Sequence, residues 1–202
     1  MINILTLSSL ALAMLHMAVT PASGHGYVSH PPSRQARCRD GQVPNCGDVR
    51  WEPQSVEAPK GSFECNGGGA RFPQLNDESL WENHFFTVPP AVDSLFFIWT
   101  LTAPHRTESW EYFVLTDNNA IIASFNSHNT TPTTPVEHLV PLNHYTGRQT
   151  ILARWNIGDT PAAFYSCVDL LIDPDAATAI ADAAAPQQPI DVPFAMRGHP
   201  GQ

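Results

Sequence analysis

The stretch Thr150–Ile157 (TILARWNI), followed after a short turn by Ala163–Ile172 (AFYSCVDLLI), decides the fold. Both stretches are rich in aromatic and β-branched residues and are separated by turn residues, which is typical of β-strands. The same character recurs in Ser94–Thr102 (SLFFIWTLT), Trp110–Leu115 (WEYFVL) and Ile121–Phe125 (IIASF). Apolar residues at the 3.6-residue period of a helix are scarce before residue 174. We therefore predict an all-β fold, an antiparallel β-sandwich whose function lies on loops at one end.

The segments on either side of these strands differ in composition. Residues 25–74 are rich in Pro, Gly, Arg and Asn and show little periodicity, which predicts long loops pinned by disulfides. Residues 174–202 begin with an Ala-rich stretch and contain few large apolar side chains, so we expect a flexible or marginally helical extension. A chain of 202 residues is long enough for one domain, which we place at residues 25–173.

The first 24 residues contain no Asp, Glu, Lys or Arg. Ile4–Val19 is mostly apolar and is followed by the small residues Ala22, Ser23 and Gly24. This order is typical of a secretory signal peptide, although the basic residues that usually begin one are missing. We predict that residues 1–24 are removed after Gly24 and that the product is secreted, with an uncleaved anchor as the alternative.

Secretion would place the four cysteines in an oxidising compartment. An even number in an oxidising compartment favours disulfides, and the spacings lack the paired C-x2-C of a zinc site. Four cysteines allow three pairings. The short intervening loop favours Cys38 with Cys46, which leaves Cys65 with Cys167. Asn129 begins the sequon Asn-Thr-Thr, a glycosylation site if the source is eukaryotic.

The charge balance excludes two classes of partner. Lys and Arg number 10 against 19 Asp and Glu, giving a net charge of −9 and a pI near 5.3. Nucleic acids and anionic membrane surfaces carry the same sign, so we expect neither as a partner. An uncharged partner needs no electrostatic steering and fits this balance.

Cleavage after Gly24 would give His25 a free α-amino group. An N-terminal His can chelate a metal through its amine and its ring, and a third nitrogen from another His would complete the site. Imidazole and amine ligands suit copper. His105 is the candidate for the third nitrogen because it follows the end of an apolar strand, where loops gather. The other histidines have polar or Pro-rich neighbours and are interpreted as solvated surface residues: His30, His84, His128, His138, His144 and His199.

Four separated motifs, in order, together resemble one family. They are His25-Gly-Tyr-Val, Trp51-Glu-Pro-Gln-Ser-Val-Glu57, Thr102-Ala-Pro-His105 with Ser109-Trp-Glu-Tyr-Phe113, and Trp155-Asn-Ile-Gly-Asp-Thr-Pro-Ala-Ala-Phe-Tyr165. The chain from His25 to about Ile172 resembles the chitin-active lytic polysaccharide monooxygenases. These are the bacterial-type chitin-binding proteins, related to viral spindle proteins and to insecticidal chitin-binding proteins of ferns. The resemblance implies an immunoglobulin-like or fibronectin-III-like sandwich.

The resemblance also implies roles for individual residues. His25 and His105 match the histidine brace that holds one copper ion. Phe164 matches the aromatic residue on one axial side of the copper, Ala103 the small residue on the other, and Glu57 an acid outside the ligand set that steers the oxygen species. Four positions match the flat face that contacts chitin: Trp51, Glu52, Thr102 and Asp159.

The implied activity is oxidative cleavage of the β-1,4-glycosidic bonds of crystalline chitin at C1, with electrons from an external donor. We expect a monomer with chitin or a related insoluble polysaccharide as its partner. A non-catalytic chitin-binding defence protein and a cellulose-active enzyme of the same family remain the alternatives.

Overall fold

The computed structural model describes residues 24–89, 91–142 and 145–172. These residues form nine strands: β1 (His25–His30), β2 (Glu57–Pro59), β3 (Phe86–Val88), β4 (Ser94–Ala103), β5 (Thr107–Val114), β6 (Ala120–Thr130), β7 (Val136–Pro141), β8 (Gly147–Ile157) and β9 (Ala162–Ile172). All five predicted strands are present, as β4, β5, β6, β8 and β9. The other four strands are short and were not predicted.

The strands form two sheets. The smaller sheet has the order β1-β4-β7, and the larger has the order β2-β9-β8-β5-β6. Pairing is antiparallel except for β3, which runs parallel to the end of β9. The predicted antiparallel sandwich is therefore confirmed. No helix in the described part of the chain is long and apolar enough to span a membrane.

A tryptophan-rich core fills the space between the two sheets. Trp99 from the smaller sheet contacts Trp110 and Trp155 of the larger sheet, with ring centroids 5.2 Å and 6.2 Å away. Trp110 and Trp155 stack at 5.2 Å with an interplanar angle of 10°. Aromatic pairs at such distances add about 0.5–1.5 kcal/mol each beyond the burial of their area. This core fixes the ends of the strands that carry the predicted site.

A second core lies on the other face of the larger sheet. Leu152, Tyr165 and Cys167 point to this face and are covered by the N-terminal segment, which contributes Leu75 and Trp81. Strands β8 and β9 are thus largely buried on both faces, which explains why their sequences do not alternate strictly between apolar and polar residues. The predicted disulfides Cys38–Cys46 and Cys65–Cys167 are both present.

The prediction of loops throughout residues 25–74 was wrong at three regular elements, which are strands β1 and β2 and one helix. His25–His30 is strand β1, and Arg34–Arg39 is a helix, α1. Ser33 caps α1, because its side chain accepts a hydrogen bond from the Ala36 amide. A second short helix, α2 (Glu78–Trp81), and 3-10 turns such as Pro53–Ser55 complete the segment. A Pro-rich sequence hides such short elements because none shows a full period.

Helix α1 is joined to the sheet by a buried ion pair. Arg34 is fully buried and donates to both carboxylate oxygens of Asp169 on β9, each at 2.8 Å. It also donates to Glu78 on α2 and lies over the ring of Trp81. Burial alone would lower the pKa of Arg34, but its hydrogen bonds to Asp169 and Glu78 and the negative charges of these carboxylates raise it above its ordinary value. Arg34 therefore holds three elements together.

His138 was predicted to be a solvated surface residue, and this prediction was wrong. Its ring stacks on Phe125 with centroids 4.2 Å apart, and its Nδ1 lies 2.7 Å from the Tyr112 hydroxyl. Trp99 Nε1 donates to the same hydroxyl, so Tyr112 can donate its own proton to a neutral His138 ring. Burial lowers the pKa of His138 to about 4 and raises that of Tyr112. His144 and His199 lie outside the described residues.

This environment predicts a pH dependence of stability. The unfolded chain protonates His138 near pH 6.5, whereas the folded chain resists protonation down to about pH 4. The contribution of the neutral His138 ring to the unfolding free energy is therefore fully present above pH 6.5, and it is lost as the pH falls towards 4. After a discount for partial exposure, we expect a loss of about 1–2 kcal/mol of unfolding free energy. Urea unfolding at pH 7.5 and pH 4.5 measures it.

Two variants separate His138 from other titrating groups. His138→Phe keeps the stacking on Phe125 and should reduce the pH-dependent difference in unfolding free energy by the expected amount. His128→Asn removes an exposed imidazole and should leave the difference unchanged. Equal pH dependence in wild-type protein and His138→Phe would contradict the assignment.

Candidate metal centre and surrounding face

The two predicted metal-binding histidines meet through the pairing of β1 with β4. His25 is paired with Ala103, the last residue of β4, and His105 follows two residues later. Gly24 shows how closely the chain approaches here, since a Cβ added to it would lie 2.9 Å from His105 Cβ. The main chain preceding His25 is therefore packed directly against His105.

Phe164 forms the buried side of this site. It is fully buried at the start of β9, and its ring centroid lies 6.1 Å from that of His25. On its other side it packs against Trp155 at 5.0 Å. Because Trp155 belongs to the tryptophan core, the Phe164 ring has a fixed position beside His25.

His105 is held by two contacts. Its Nε2 lies 2.8 Å from Oδ1 of Asp159, and its carbonyl accepts a hydrogen bond from the Thr107 hydroxyl at 2.9 Å. The Thr107 hydroxyl in turn accepts from Trp155 Nε1. Asp159 was predicted as a chitin contact. The side chain is 44% exposed, so it can contact a ligand while orienting His105.

Glu57 enters the site through the pairing of β2 with β9. It is paired with Phe164, and its side chain is exposed. Beside it lies an open depression of about 290 Å³ lined by Glu57, Ala58, Pro59, Pro161 and Ala162. Most of this lining is apolar, so the carboxylate of Glu57 is a polar group at the edge of an apolar surface.

The remaining predicted face residues lie close to the surface. Trp51 is 77% exposed, and the 3-10 turn that follows it at Pro53–Ser55 packs on β1. Thr102 is exposed, with its hydroxyl 3.5 Å from the His25 carbonyl oxygen. Glu52 is half-buried and forms an ion pair with Arg71. The structure gives no direct contact of Trp51 or Glu52 with either histidine.

Two cationic side chains near Trp51 were not predicted. The Arg50 guanidinium lies 4.9 Å from the Trp51 ring centroid, and Arg71 pairs with Glu52. Both contacts hold residues of the exposed face in position. Arg50 is next to Trp51 in sequence and could have been found from that adjacency. Arg71 follows Glu52 by 19 residues, with strand β2 between them, so no local pattern points to it.

The donor set can be tested for its fit to a metal. Among the described residues, no group of three or more His, Cys, Asp or Glu side chains is placed to hold an ion. His25 and His105 supply imidazoles only, so a third nitrogen must come from the main chain. A free amine at His25 would supply it beside its own ring. Two imidazoles and an amine form a set that suits copper.

Comparisons with known proteins point to one family. A family model described as lytic polysaccharide mono-oxygenase, cellulose-degrading, matches residues 25–170. The chain is 46% identical over 149 residues to a lytic chitin monooxygenase of Streptomyces ambofaciens, covering 74% of this chain and 82% of that protein. Some further relatives are longer, and the chain spans 59% and 40% of two of them.

Comparison with solved structures points to the same family. A lytic polysaccharide monooxygenase of Jonesia denitrificans aligns with a TM-score of 0.67 and 41% identity, over 74% of this chain and 100% of that chain. A CBM33 protein of Bacillus amyloliquefaciens in complex with Cu(I) aligns with a TM-score of 0.60 and 25% identity, over 73% of this chain and 99% of that chain.

Proposed function

The chain belongs to the lytic polysaccharide mono-oxygenase family, and from this premise we propose that it is a secreted copper enzyme that oxidises crystalline chitin at C1. The observation that carries the proposal is the meeting of His25, His105 and the buried Phe164 at one end of the sandwich. Removal of residues 1–24 would free the amine that the donor set lacks. The domain would then begin at His25, end near residue 173 and act as a monomer.

The three nitrogens define what the chain contributes to metal binding. The amine and ring of His25 and the ring of His105 would hold copper. When bound and reduced by an external donor, copper supplies the one-electron chemistry that activates oxygen or peroxide. The amine must lose a proton before it binds, so affinity should fall at acid pH.

The surrounding side chains shape the site. The buried Phe164 ring beside His25 excludes water and other ligands from one side. Ala103 is paired with His25. Because its side chain is small, the two strands can pack closely beside the site. Glu57, beside Phe164 in the β2–β9 pair, can accept or return a proton at the edge of the site. Asp159, whose Oδ1 lies 2.8 Å from Nε2 of His105, would orient the His105 ring.

The face suits a flat, insoluble polysaccharide. An exposed indole such as Trp51 can stack on a sugar ring, while exposed polar groups bond hydroxyls. The apolar depression beside Glu57 favours chitin over cellulose, because chitin carries an acetamide methyl group that such a surface can accept. The similarity to a lytic chitin monooxygenase supports the same substrate, whereas the description of the family model names cellulose.

The proposal is tested by incubating the copper-loaded protein with chitin and ascorbate and analysing the soluble products by mass spectrometry. We expect chito-oligosaccharides oxidised at C1. Parallel incubation with cellulose tests the alternative substrate, since cello-oligosaccharide products would identify a cellulose-active enzyme. Adsorption to chitin without oxidised products, while a known enzyme works under the same conditions, would identify a non-catalytic chitin-binding protein.

Trp51 provides a test of the binding face. Replacing it with Ala removes an exposed ring and leaves the core intact, so we expect an about 10-fold weaker adsorption to chitin, the upper end of the range for an aromatic contact. Phe96→Ala is the matched control, because Phe96 is 52% exposed on the smaller sheet. Adsorption isotherms measure both variants. Equal adsorption of Trp51→Ala and Phe96→Ala would contradict the role of Trp51.

A further inference from the structure

Strand ends at the metal-centre end of the larger sheet bring together residues that lie far apart in sequence. Thr107, at the start of β5, is paired with Thr130 at the end of β6 and with Ile157 at the end of β8. The residues adjoining these three positions are Arg106, Asn129 and Gly158. They therefore lie side by side, next to the pair formed by His105 and Asp159.

The lack of space around Gly158 shows how closely the three residues pack. A Cβ added to Gly158 would lie 2.4 Å from Asn129 Oδ1 and 3.1 Å from Arg106 Cγ. The Gly158 amide also donates to the Arg106 carbonyl at 2.8 Å. The side chain of Asn129 thus rests on the residue immediately before Asp159, while Arg106 immediately follows His105.

The backbone at the end of β6 fixes Asn129. His128 and Asn129 both have left-handed backbones, with φ of 50° and 57°. The turn is held because Asn126 Oδ1 accepts from the His128 amide and the Thr130 hydroxyl donates to the Ser127 carbonyl, each at 2.7 Å. Asn tolerates this conformation better than most residues. Asn129 and Arg106 are both exposed, so the turn presents polar side chains that are ordered in advance.

We propose that Asn129 and Arg106 form a polar arm of the polysaccharide-binding surface, an inference that rests on the proposed function. In the larger sheet Glu57 lies on one edge strand and Asn129 on the opposite edge strand. Asn129 is three strand spacings, about 14 Å, from the strand of Phe164. The Asn129 end of the arm therefore contacts a sugar unit distant from the bond that is cleaved, while Arg106 lies nearer to the metal centre.

The chemistry of the arm matches the polar groups of a sugar chain. An Asn amide offers both donors and an acceptor, and an Arg guanidinium offers only donors. Donors bind the carbonyl oxygens of acetamide groups, and the amide oxygen accepts from hydroxyls. A glycan attached to Asn129 would occupy the same amide, so glycosylation at this sequon and function of the arm exclude each other.

The test compares three variants of the full chain, secreted from a host that does not add N-glycans. Asn129→Ala removes the amide of the arm. Gly158→Ala displaces it, because the new Cβ would collide with the end of the Asn129 side chain. Asn118→Ala is the matched control: Asn118 is an exposed Asn with φ of 47° in the turn between β5 and β6, at the other end of the sheet. Both Asn→Ala variants therefore carry the same backbone strain.

Adsorption isotherms on chitin give the result. We expect the dissociation constant to rise about three- to tenfold for Asn129→Ala and Gly158→Ala, the effect of losing one or two sugar hydrogen bonds, and less than about twofold for Asn118→Ala. Copper affinity and thermal midpoint should be the same in all three variants. This result would distinguish loss of a contact with the polysaccharide from damage to the fold.

Two outcomes would overturn the proposal in different ways. If wild-type protein adsorbs and oxidises chitin while Asn129→Ala binds as well as Asn118→Ala, the arm is wrong and the proposed function stands. If wild-type protein neither adsorbs to chitin nor oxidises it, the proposed function fails and the arm fails with it.

Discussion

Replacement of His105 by Ala is expected to reduce the release of oxidised oligosaccharides by about 100-fold or more, because one of the three nitrogens of the metal site is lost. The fold should persist, since the hydrogen bond from Thr107 goes to the main-chain carbonyl of His105 and not to its ring. Product release measured by mass spectrometry and copper affinity measured by calorimetry should fall together.

His30→Gln is the control for this variant. His30 is exposed at the opposite end of β1 from His25, so its loss removes an imidazole without touching the site. We expect copper affinity and product release within about twofold of wild type. A His105→Ala protein that retains wild-type copper affinity would show that the metal is held elsewhere.

Replacement of Arg34 by Ala is expected to lower the unfolding free energy by about 3–5 kcal/mol, the cost of breaking a buried ion pair on one side. Asp169 is 5% exposed, and the Thr150 hydroxyl would be its remaining side-chain partner among those described. The thermal midpoint should fall by about 10 °C or more. Chemical unfolding and thermal scans measure both quantities.

Arg39→Ala tests the importance of burial. Arg39 lies in the same helix, α1, but its side chain is 45% exposed and its ion pair with Asp40 is on the surface. Its loss should cost less than about 1 kcal/mol. If Arg34→Ala and Arg39→Ala destabilise the protein equally, the buried pair does not hold the N-terminal segment on the sheet.

The sequence predicted the fold where strands carry large aromatic side chains. Strands β4, β8 and β9 belong to the two cores, so their apolar character is strong enough to read locally. Strand β1 (HGYVSH) was missed because it is short and ends before two prolines. Strand β7 was missed because its polar residues alternate with apolar ones over only a few positions, too few to establish a period.

His138 shows why local composition misleads. Its sequence neighbour Glu137 is exposed, but alternation along β7 turns His138 towards the core, where Phe125 and Trp110 surround it. Those two residues come from the other sheet. Only the packing of the sheets, which a single strand does not encode, decides that this imidazole is half-buried.

The residues of the candidate site also fall into those that could be predicted from the sequence and those that could not. His25 could be proposed from its chemistry, because a terminal amine beside an imidazole forms a recognisable chelate, whereas His105 was assigned through the resemblance of its motif to a family. The ion pair of Glu52 with Arg71 and the cluster at Asn129 could not be proposed, since each depends on loops or strand ends that meet only in the folded chain. Long-range pairing, not residue type, produces these contacts.

The central claim is that a three-nitrogen metal site forms when the chain begins at His25. It is tested most directly by titrating Cu(II) calorimetrically into secreted protein whose intact mass corresponds to a start at His25, beside the same protein with the α-amino group of His25 acetylated. The account predicts one tightly bound copper per chain and an affinity at least about 100-fold lower after acetylation, because the amine is then an amide. Equal affinity of the two proteins, or a secreted chain that begins at another residue, would contradict it.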